Sequence, residues 1–240
     1  MSHKMISVCI ATYNGERFIR EQISSIINQL GNEDEIIISD NESTDSTIDI
    51  IKEIDDKRIK LIKGPEKKSP TSNFENALMH AKGGYIFLSD QDDVWKDNKI
   101  SICMQYLKHY DCVISDAEMV DENLNIIEKS YYKVHNTKQS RIYNTLIKNG
   151  YMGCCMAFTK RVLKASLPFP KDIPMHDIWI GNIAAYRFNV KFIPNKLIQF
   201  RCHGRNSSFT ASVKSGNSLF RMLMIRWTVI KCLSFKFIFS

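Results

Sequence analysis

Apolar and polar positions alternate in blocks along the first ninety residues. Met5–Thr12 (MISVCIAT) is a short, β-branched apolar run and predicts a buried strand. Phe18, Ile19, Ile23, Ile26, Ile27 and Leu30 then recur at helical spacing. Glu35–Asp40 (EIIISD) predicts a second buried strand, and Ser43 or Thr44 stands where a cap would begin a helix through Ile54. Arg58–Lys63 (RIKLIK) alternates as a third strand. Gly64–Ser72 reads as a loop, Asn73–Lys82 as a short helix and Tyr85–Ser89 (YIFLS) as a fourth strand. Buried strands alternating with helices make an α/β domain with a largely parallel sheet.

The pattern loosens afterwards. Asp97–Tyr110 predicts a helix, Cys112–Ser115 a strand, and Asp121–Asn125 a turn between two short strands. Gly150–Phe158 is rich in small residues and then apolar. Met175–Tyr186 predicts a helix, and Val190–Ile193 and Leu197–Phe200 two separate strands.

Composition narrows the class. Of 240 residues, 44% are hydrophobic and 25% charged, which excludes a collagen, a disordered tail or a coiled coil. The length suits one large domain, or one domain with an appendage. No uncharged apolar run approaches the roughly 18 residues a membrane span needs, and the N-terminus carries no secretory cleavage signal. The seven cysteines are odd in number and include no C-x-x-C, so neither a disulfide framework nor a zinc site is expected, and free thiols point to the cytosol.

Charge is unevenly spread. The net is +7, yet the first 177 residues hold 23 bases and 26 acids, while ten bases and no acid follow Asp177. A diphosphate ligand, an anionic membrane surface or nucleic acid would each suit that basic end. Leu219–Phe239 combines apolar residues with bases at 221, 226, 231 and 236. Steps of five turn by about 140° on a helix, so these bases do not line one face. Three readings stand: a segment lying in a membrane interface, a C-terminal helix packed on the domain, or a truncated hydrophobic tail.

In parallel sheets ligands sit at the carboxyl ends of the strands. Three of those ends are chemically loaded here: Thr12-Tyr13-Asn14, Asp40-Asn41 and Ser89-Asp90-Gln91-Asp92-Asp93. Neither G-x-G-x-x-G after the first strand nor G-x-x-x-x-G-K-[ST] occurs, which disfavours dinucleotide dehydrogenases and P-loop NTPases. Three acids in four residues after a buried strand repel one another unless a cation joins them, and oxygen donors of this kind suit Mg²⁺ or Mn²⁺. Asp40 is placed to bind a base or ribose, or to hold its own turn. Asp177 is placed as a general base or a helix cap. His203 can ligate a metal or lie at the surface. Trp95 and Trp179 can stack on a sugar or fill the core.

Six stretches in order then carry a resemblance: VCIATYNGERF, SDNESTDST, FLSDQDDVW, Gly153-Cys154-Cys155-Met156, HDIW and RCHG. Together, over about residues 5–210, they resemble the family-two inverting glycosyltransferases of GT-A fold, and FLSDQDDVW resembles bacterial O-antigen and capsule enzymes. Two departures are visible: Asp40-Asn41 replaces the common Asp-Asp, and Cys154-Cys155 stands where a further Gly is frequent. The resemblance implies a Rossmann-like, mostly parallel sheet flanked by helices. It further implies a nucleotide-binding half at 1–95, an acceptor-side half at 96–210 and a basic hydrophobic segment at 211–240. Thr12, Tyr13, Asn14, Asp40, Asp90, Gln91 and Arg201 would contact the nucleotide sugar. Asp92 and His203 would hold Mn²⁺ or Mg²⁺, Asp177 would be the catalytic base, and Trp95, Gly153 and Trp179 would face the acceptor.

The implied activity moves a hexose, with inversion, from UDP-glucose or UDP-galactose to a lipid-diphosphate-linked saccharide. Transfer from dTDP-L-rhamnose is the alternative donor reading. A peripheral enzyme on the cytoplasmic membrane face, touching anionic lipid through its basic end, follows from the same resemblance. Three rivals come from other classes. A silent sugar-nucleotide binder needs only Asp40 and the diphosphate site. A sugar nucleotidyltransferase wants a Gly-rich first loop, and TYNGERF has one Gly. A nucleic-acid binder is disfavoured, because no binding motif occurs and the acid cluster would repel phosphate.

Overall fold

A computed structural model of the chain describes residues 5–203 and 219–238. Gly204 of the RCHG stretch, the bases Arg205 and Lys214, and the expected boundary at 210/211 lie outside the described residues. The first half follows the pattern: β1 (Ile6–Thr12), α1 (Ile19–Ile27), β2 (Glu35–Asp40), α2 (Thr47–Glu53), β3 (Ile59–Lys63), α3 (Pro70–Met79) and β4 (Tyr85–Ser89). Then come β5 (Val94–Trp95), α4 (Lys99–Tyr106), β6 (Cys112–Val120), β7 (Ile126–Glu128), α5 (Tyr131–His135) and α6 (Arg141–Leu146). A 3₁₀ turn at Gly153–Cys155 leads into β8 (Met156–Thr159), α7 (Lys160–Ser166), α8 (His176–Arg187), β9 (Val190–Arg201) and α9 (Leu219–Ile238).

The strands form one sheet in the order β3-β2-β1-β4-β8-β6-β9-β5, with β7 added beside β6. Strands β3, β2, β1 and β4 pair in parallel. Beyond β4 the pairing is antiparallel except for β6 with β9. Six of the nine strands among the described residues therefore run one way, the mostly parallel α/β sheet expected. Central strands covered on both faces must be apolar on both faces. Accordingly Ile36, Ile37, Ile38, Val8, Cys9 and Ile10 are all fully buried.

Two local expectations are corrected. The loop expected through Ser72 already contains the start of α3. Ser69 caps it, its Oγ accepting from the Ser72 N–H at 3.1 Å, and Pro70 fills the first turn, where no N–H is needed. The two strands expected at 190–200 are one, β9. Its register against β6 jumps between Ser115↔Ile193 and Asp116↔Lys196, so a bulge absorbs Pro194, which cannot donate to the ladder.

The C-terminal helix packs on the domain. Val229 and Leu233, one turn apart, are buried, and Arg226 and Lys236 donate to the carbonyls of Ile147 and Leu167. Among the described residues no helix is long and apolar enough to cross a membrane.

Candidate active site

The parallel strands end on one rim. Thr12 pairs with Asp40, and Asp40 with Lys63, so the loops after β1, β2 and β3 emerge together. The loop after β1 turns at Asn14, which adopts a left-handed φ of 49°, a conformation asparagine tolerates. The Asn14 N–H donates to Ser43 Oγ (2.9 Å) and its Oδ1 accepts from the Thr44 N–H (2.8 Å). Gln91 staples this loop to the one after β4: its Oε1 accepts from Thr12 Oγ1 (2.6 Å) and the Tyr13 N–H (2.9 Å). A Cβ at Gly15 would stand 2.6 Å from that same Oε1, so a side chain there would have to displace the Gln91 amide. Tyr13 is left half exposed above the rim.

Asp40 is buried, its two oxygens accepting from the Ser43 N–H (2.9 Å) and Oγ–H (2.6 Å). Ser43 and Thr44 are thereby engaged, and neither caps α2 as expected. The N-cap is Ser46, whose side chain makes no capping bond, and Asp45 before it accepts from the Thr47 N–H at 3.0 Å.

The acid cluster gathers behind Gln91. Asp92 Oδ2 lies 2.9 Å from His203 Nε2, so the two expected metal ligands touch. Asp93 is fully buried; its Oδ1 accepts from the Arg201 N–H (3.0 Å), while its Oδ2 takes no hydrogen bond. One ligand atom each from Asp90, Asp93 and Cys154 lie within 4.8 Å of one another. Burial, then the charges of Asp92 and Asp177, push Asp90 up to about 7. Burial, then Asp92 and Asp90, hold Asp93 well above the carboxylate range. Repelling carboxylates around an orphaned buried oxygen fit a hard divalent cation. The Cys154 thiol fits it less well: contact with Cys155 and burial raise it, and thiols suit softer metals.

Two cations hold this cluster. Lys99 is fully buried, donates to the Cys154 carbonyl, sits 4.2 Å from the Trp95 ring centroid, and is one of the charges that lower Asp90. Arg201 is 2% exposed, and its guanidinium donates to the Asp92 carbonyl (2.8 Å), the Glu21 carboxylate (2.6 Å) and the Glu122 carbonyl. The expectation that Arg201 contacts the nucleotide sugar is thus corrected: it positions the Asp92 backbone from behind.

Both tryptophans are corrected as well. Trp95 packs against Phe87 with centroids 5.8 Å apart, and Trp179 is fully buried with its indole N–H on the Ser166 carbonyl at 2.7 Å. Neither presents a face to a sugar; both fill the core, Trp179 with its N–H satisfied and Trp95 with a buried indole N–H that has no hydrogen-bond partner among the described residues.

Asp177 stands in the first turn of α8. It is not the cap, since Met175 precedes the helix; instead its Oδ1 accepts from the Ile178 N–H at 2.6 Å, and the Gly153 N–H also donates to it. Burial pushes it up to about 7. Beside it the His176 ring stacks on Phe74 at 3.9 Å, and burial pushes it down to about 3, so it is neutral. A Cβ on Gly153 would meet His176 Nε2 at 2.6 Å. The Gly153–Cys155 turn therefore joins the two acid centres: Cys154 borders Asp90 and Asp93, and Gly153 touches Asp177.

Comparison with known proteins bears on this arrangement. The sequence model for Glycosyl transferase family 2 matches residues 7–167. The chain belongs to this family. It is 30% identical over 172 residues to WfgD of Escherichia coli, a UDP-Glc:alpha-D-GlcNAc-diphosphoundecaprenol beta-1,3-glucosyltransferase, a match covering 71% of this chain and 66% of the relative. It is 30% identical over 179 residues to WfaP of Escherichia coli, which carries the same activity name, covering 74% and 70%. The chain thus spans about two thirds of the length of these relatives. Among solved structures, Staphylococcus aureus TarS with UDP-GlcNAc superposes with a TM-score of 0.70 at 20% identity, covering 98% of this chain and 67% of TarS. The mannosyltransferase PcManGT of Pyrobaculum calidifontis, with GDP-Man and Mn²⁺, gives 0.64 at 17% identity, covering 100% and 77%. Those likenesses establish the GT-A fold for this family-2 chain.

Family motifs point to Asp90, Asp92, Asp177 and His203, but three of the groups around them escape a sequence reading. Lys99 has only its place nine residues after Asp90 as a signal, and a buried lysine is too rare to expect. His176 is hidden by its more conspicuous neighbour Asp177. Asp93 is visible as an acid, but nothing in its spacing distinguishes the buried one from the open ones.

Proposed function

We propose that the chain is an inverting glycosyltransferase that moves a hexose from a UDP-sugar, UDP-glucose first, to a hydroxyl of a lipid-diphosphate-linked saccharide. The observation that carries this reading is the pairing of a cation-ready acid cluster with a separate raised carboxyl, Asp177, through the Gly153–Cys155 turn. The names of WfgD and WfaP support the donor and the acceptor class. The half at 1–95 binds the nucleotide sugar and the half at 96–210 takes the acceptor.

In this reading Asp40 and Tyr13 receive the nucleoside on the rim, with Thr12, Asn14 and Gln91 fixing the shape of that rim. Asp92 and His203, with Asp90 and Asp93, would hold Mn²⁺ or Mg²⁺. A divalent cation bound there offsets negative charge developing on the departing diphosphate. Asp177, ionised, takes the proton of the acceptor hydroxyl as that oxygen bonds to the anomeric carbon. The bond from that carbon to the diphosphate oxygen breaks on the opposite face, so the configuration inverts. Neutral His176 and Gly153 wall the base and keep its carboxylate oriented. The enzyme works at the cytoplasmic face of the membrane, where its acceptor lies.

The test is release of free nucleoside diphosphate from a panel of nucleotide sugars with Mn²⁺ or Mg²⁺, with and without a diphosphate-lipid saccharide. Metal-dependent release of UDP from UDP-glucose, raised by the acceptor and lost in Asp92→Ala and Asp177→Asn, is expected. Release from dTDP-L-rhamnose instead would replace the donor. Nucleotide binding with no turnover of any donor would leave a silent binder.

A further inference from the structure

The two halves of the chain carry opposite charge. Residues 1–128 hold 14 bases and 24 acids, whereas residues 129–240 hold 19 bases and only two acids, Asp172 and Asp177. The net charges are −10 and +17. The cationic half is also where large apolar side chains face outward. On α9, Val229 and Leu233 point into the domain, and the opposite stripe carries Leu223 (68% exposed), Met224 and Trp227 (65% exposed). A helix apolar on both sides is buried on both sides in its working state.

Helix α6 extends that stripe. Ile142 and Leu146, one turn apart, and Ile147 after them are all about half exposed or more. The Arg226 guanidinium, which lies on α9 one turn from Leu223, donates to the carbonyls of Asn144 (3.5 Å) and Ile147 (3.2 Å), locking the end of α6 against this part of α9. Scattered single apolar residues need no explanation, but six on two locked helices do. Around them Arg141, Lys148 and Lys231 are exposed. Farther along α9 an apolar groove of about 360 Å³ runs between Pro168-Phe169-Pro170 and the helix, with Lys231 and Lys236 among its lining residues.

We propose that the α6–α9 face is the surface on which the protein docks to an anionic lipid bilayer. The apolar stripe enters the acyl boundary, Trp227 sits at headgroup depth, and the surrounding bases meet lipid phosphates. A surface helix docked in this way lies in the interface without crossing it, which agrees with the absence of a spanning helix among the described residues. The inference deepens the membrane part of the proposed function, and rests on it for the need to reach a lipid-linked acceptor. It adds α6 and commits the docking to a composite, prefolded face and not to a tail alone.

The experiment is co-sedimentation of the 240-residue chain with vesicles of phosphatidylcholine alone and with about one third phosphatidylglycerol, at low and high salt. Binding should require phosphatidylglycerol and weaken several-fold at high salt. The double variant Leu223→Glu/Trp227→Glu should lose at least about tenfold in partitioning, and Ile147→Glu on α6 about threefold, with unchanged circular dichroism. Equal partitioning of wild type and variants, or equal binding to both vesicle types, overturns the proposal. So does a wild-type dimer in sedimentation that these same variants dissociate, because the face would then belong to a second copy. Nucleoside diphosphate release from the donor, assayed without vesicles, separates the two readings. A chain that releases it but ignores vesicles loses only the docking face, and a chain that binds vesicles but turns over no donor keeps it and loses the proposed activity.

Discussion

The acids after β4 and the acid at the head of α8 are both at least partly buried, yet they are held in opposite ways. Asp90, Asp92 and Asp93 repel one another, with the basic side chains of Lys99 and Arg201 behind them and the His203 ring on the Asp92 carboxylate. Asp177 takes hydrogen bonds from backbone N–H groups, and its ring neighbour is a histidine kept neutral. Burial raises both centres, so burial by itself does not assign a role. What surrounds the carboxylate does: close-set competing negative charges favour a metal, while a carboxyl held by backbone N–H groups and pushed up to about 7 by burial favours proton transfer near neutrality.

The sharpest way to break this contrast is Asp177→Asn. The amide keeps an oxygen for the Ile178 N–H but cannot take a proton. Transfer should fall by about 10²–10⁴, the usual worth of a general base, while calorimetric binding of the nucleoside diphosphate with metal changes less than about twofold. A loss of binding as large as the loss of rate would merge the two centres into one. The next test acts on the other centre. Asp92→Ala should weaken metal-dependent nucleotide binding by at least about 100-fold, the upper end of what supporting residues around a metal contribute, and His203→Ala by about 10–100-fold. If the Asp92 variant still binds in a metal-dependent way, the ion is held by Asp90 and Asp93 without it.

The pH profile sharpens the contrast further. The base works ionised, and its folded-state value is raised to about 7. Below that pH the working fraction, and with it kcat/KM, should drop about tenfold per unit, and above it should level off. The residual rate of Asp177→Asn should lack this limb. A wild-type profile flat down to pH 5 would mean that the carboxyl is ionised there and not raised.

How far the sequence could be read follows the same division. Strands β2 and β4 fall on the expected residues because a parallel strand buried on both faces must be a continuous apolar run, and Ile36–Ile38 and Ile86–Leu88 are such runs. The second half resists because its elements are short and its signals local: α5 and α6 each span under two turns, and the bulge at Pro194 splits the pattern of one strand into two. At the site, Asp40, Asp90, Asp92 and Asp177 are legible because acids at strand and helix ends are conspicuous. Arg201 and Trp179 are legible as residue types but not as placements. Whether an arginine faces a ligand or the back of a loop depends on Glu21 and Glu122, far away in sequence and brought near only by the fold.

Lys99 tests the contrast from inside. It is fully buried, its amine donates to the Cys154 carbonyl, and Asp90 and Asp93 both feel its charge. Lys99→Met keeps the length of the side chain and its contact with Trp95, but removes the cation and leaves the Cys154 carbonyl without that donor. An unsatisfied buried acceptor costs about 1–3 kcal/mol, so the metal-free protein should melt several degrees lower. The acid cluster then has lost its internal counter-charge, so an added divalent cation has more repulsion to relieve. The rise in Tm on adding Mn²⁺ should therefore be larger in the variant than in the wild type. Because Asp177 has no such cation among the groups that set its ionisation, the pH limb of the rate should stay where it is. An equal rise in both proteins would show that Lys99 serves only to hold the Gly153–Cys155 turn, and a shifted limb would show that the cation of the acid cluster also sets the ionisation of Asp177.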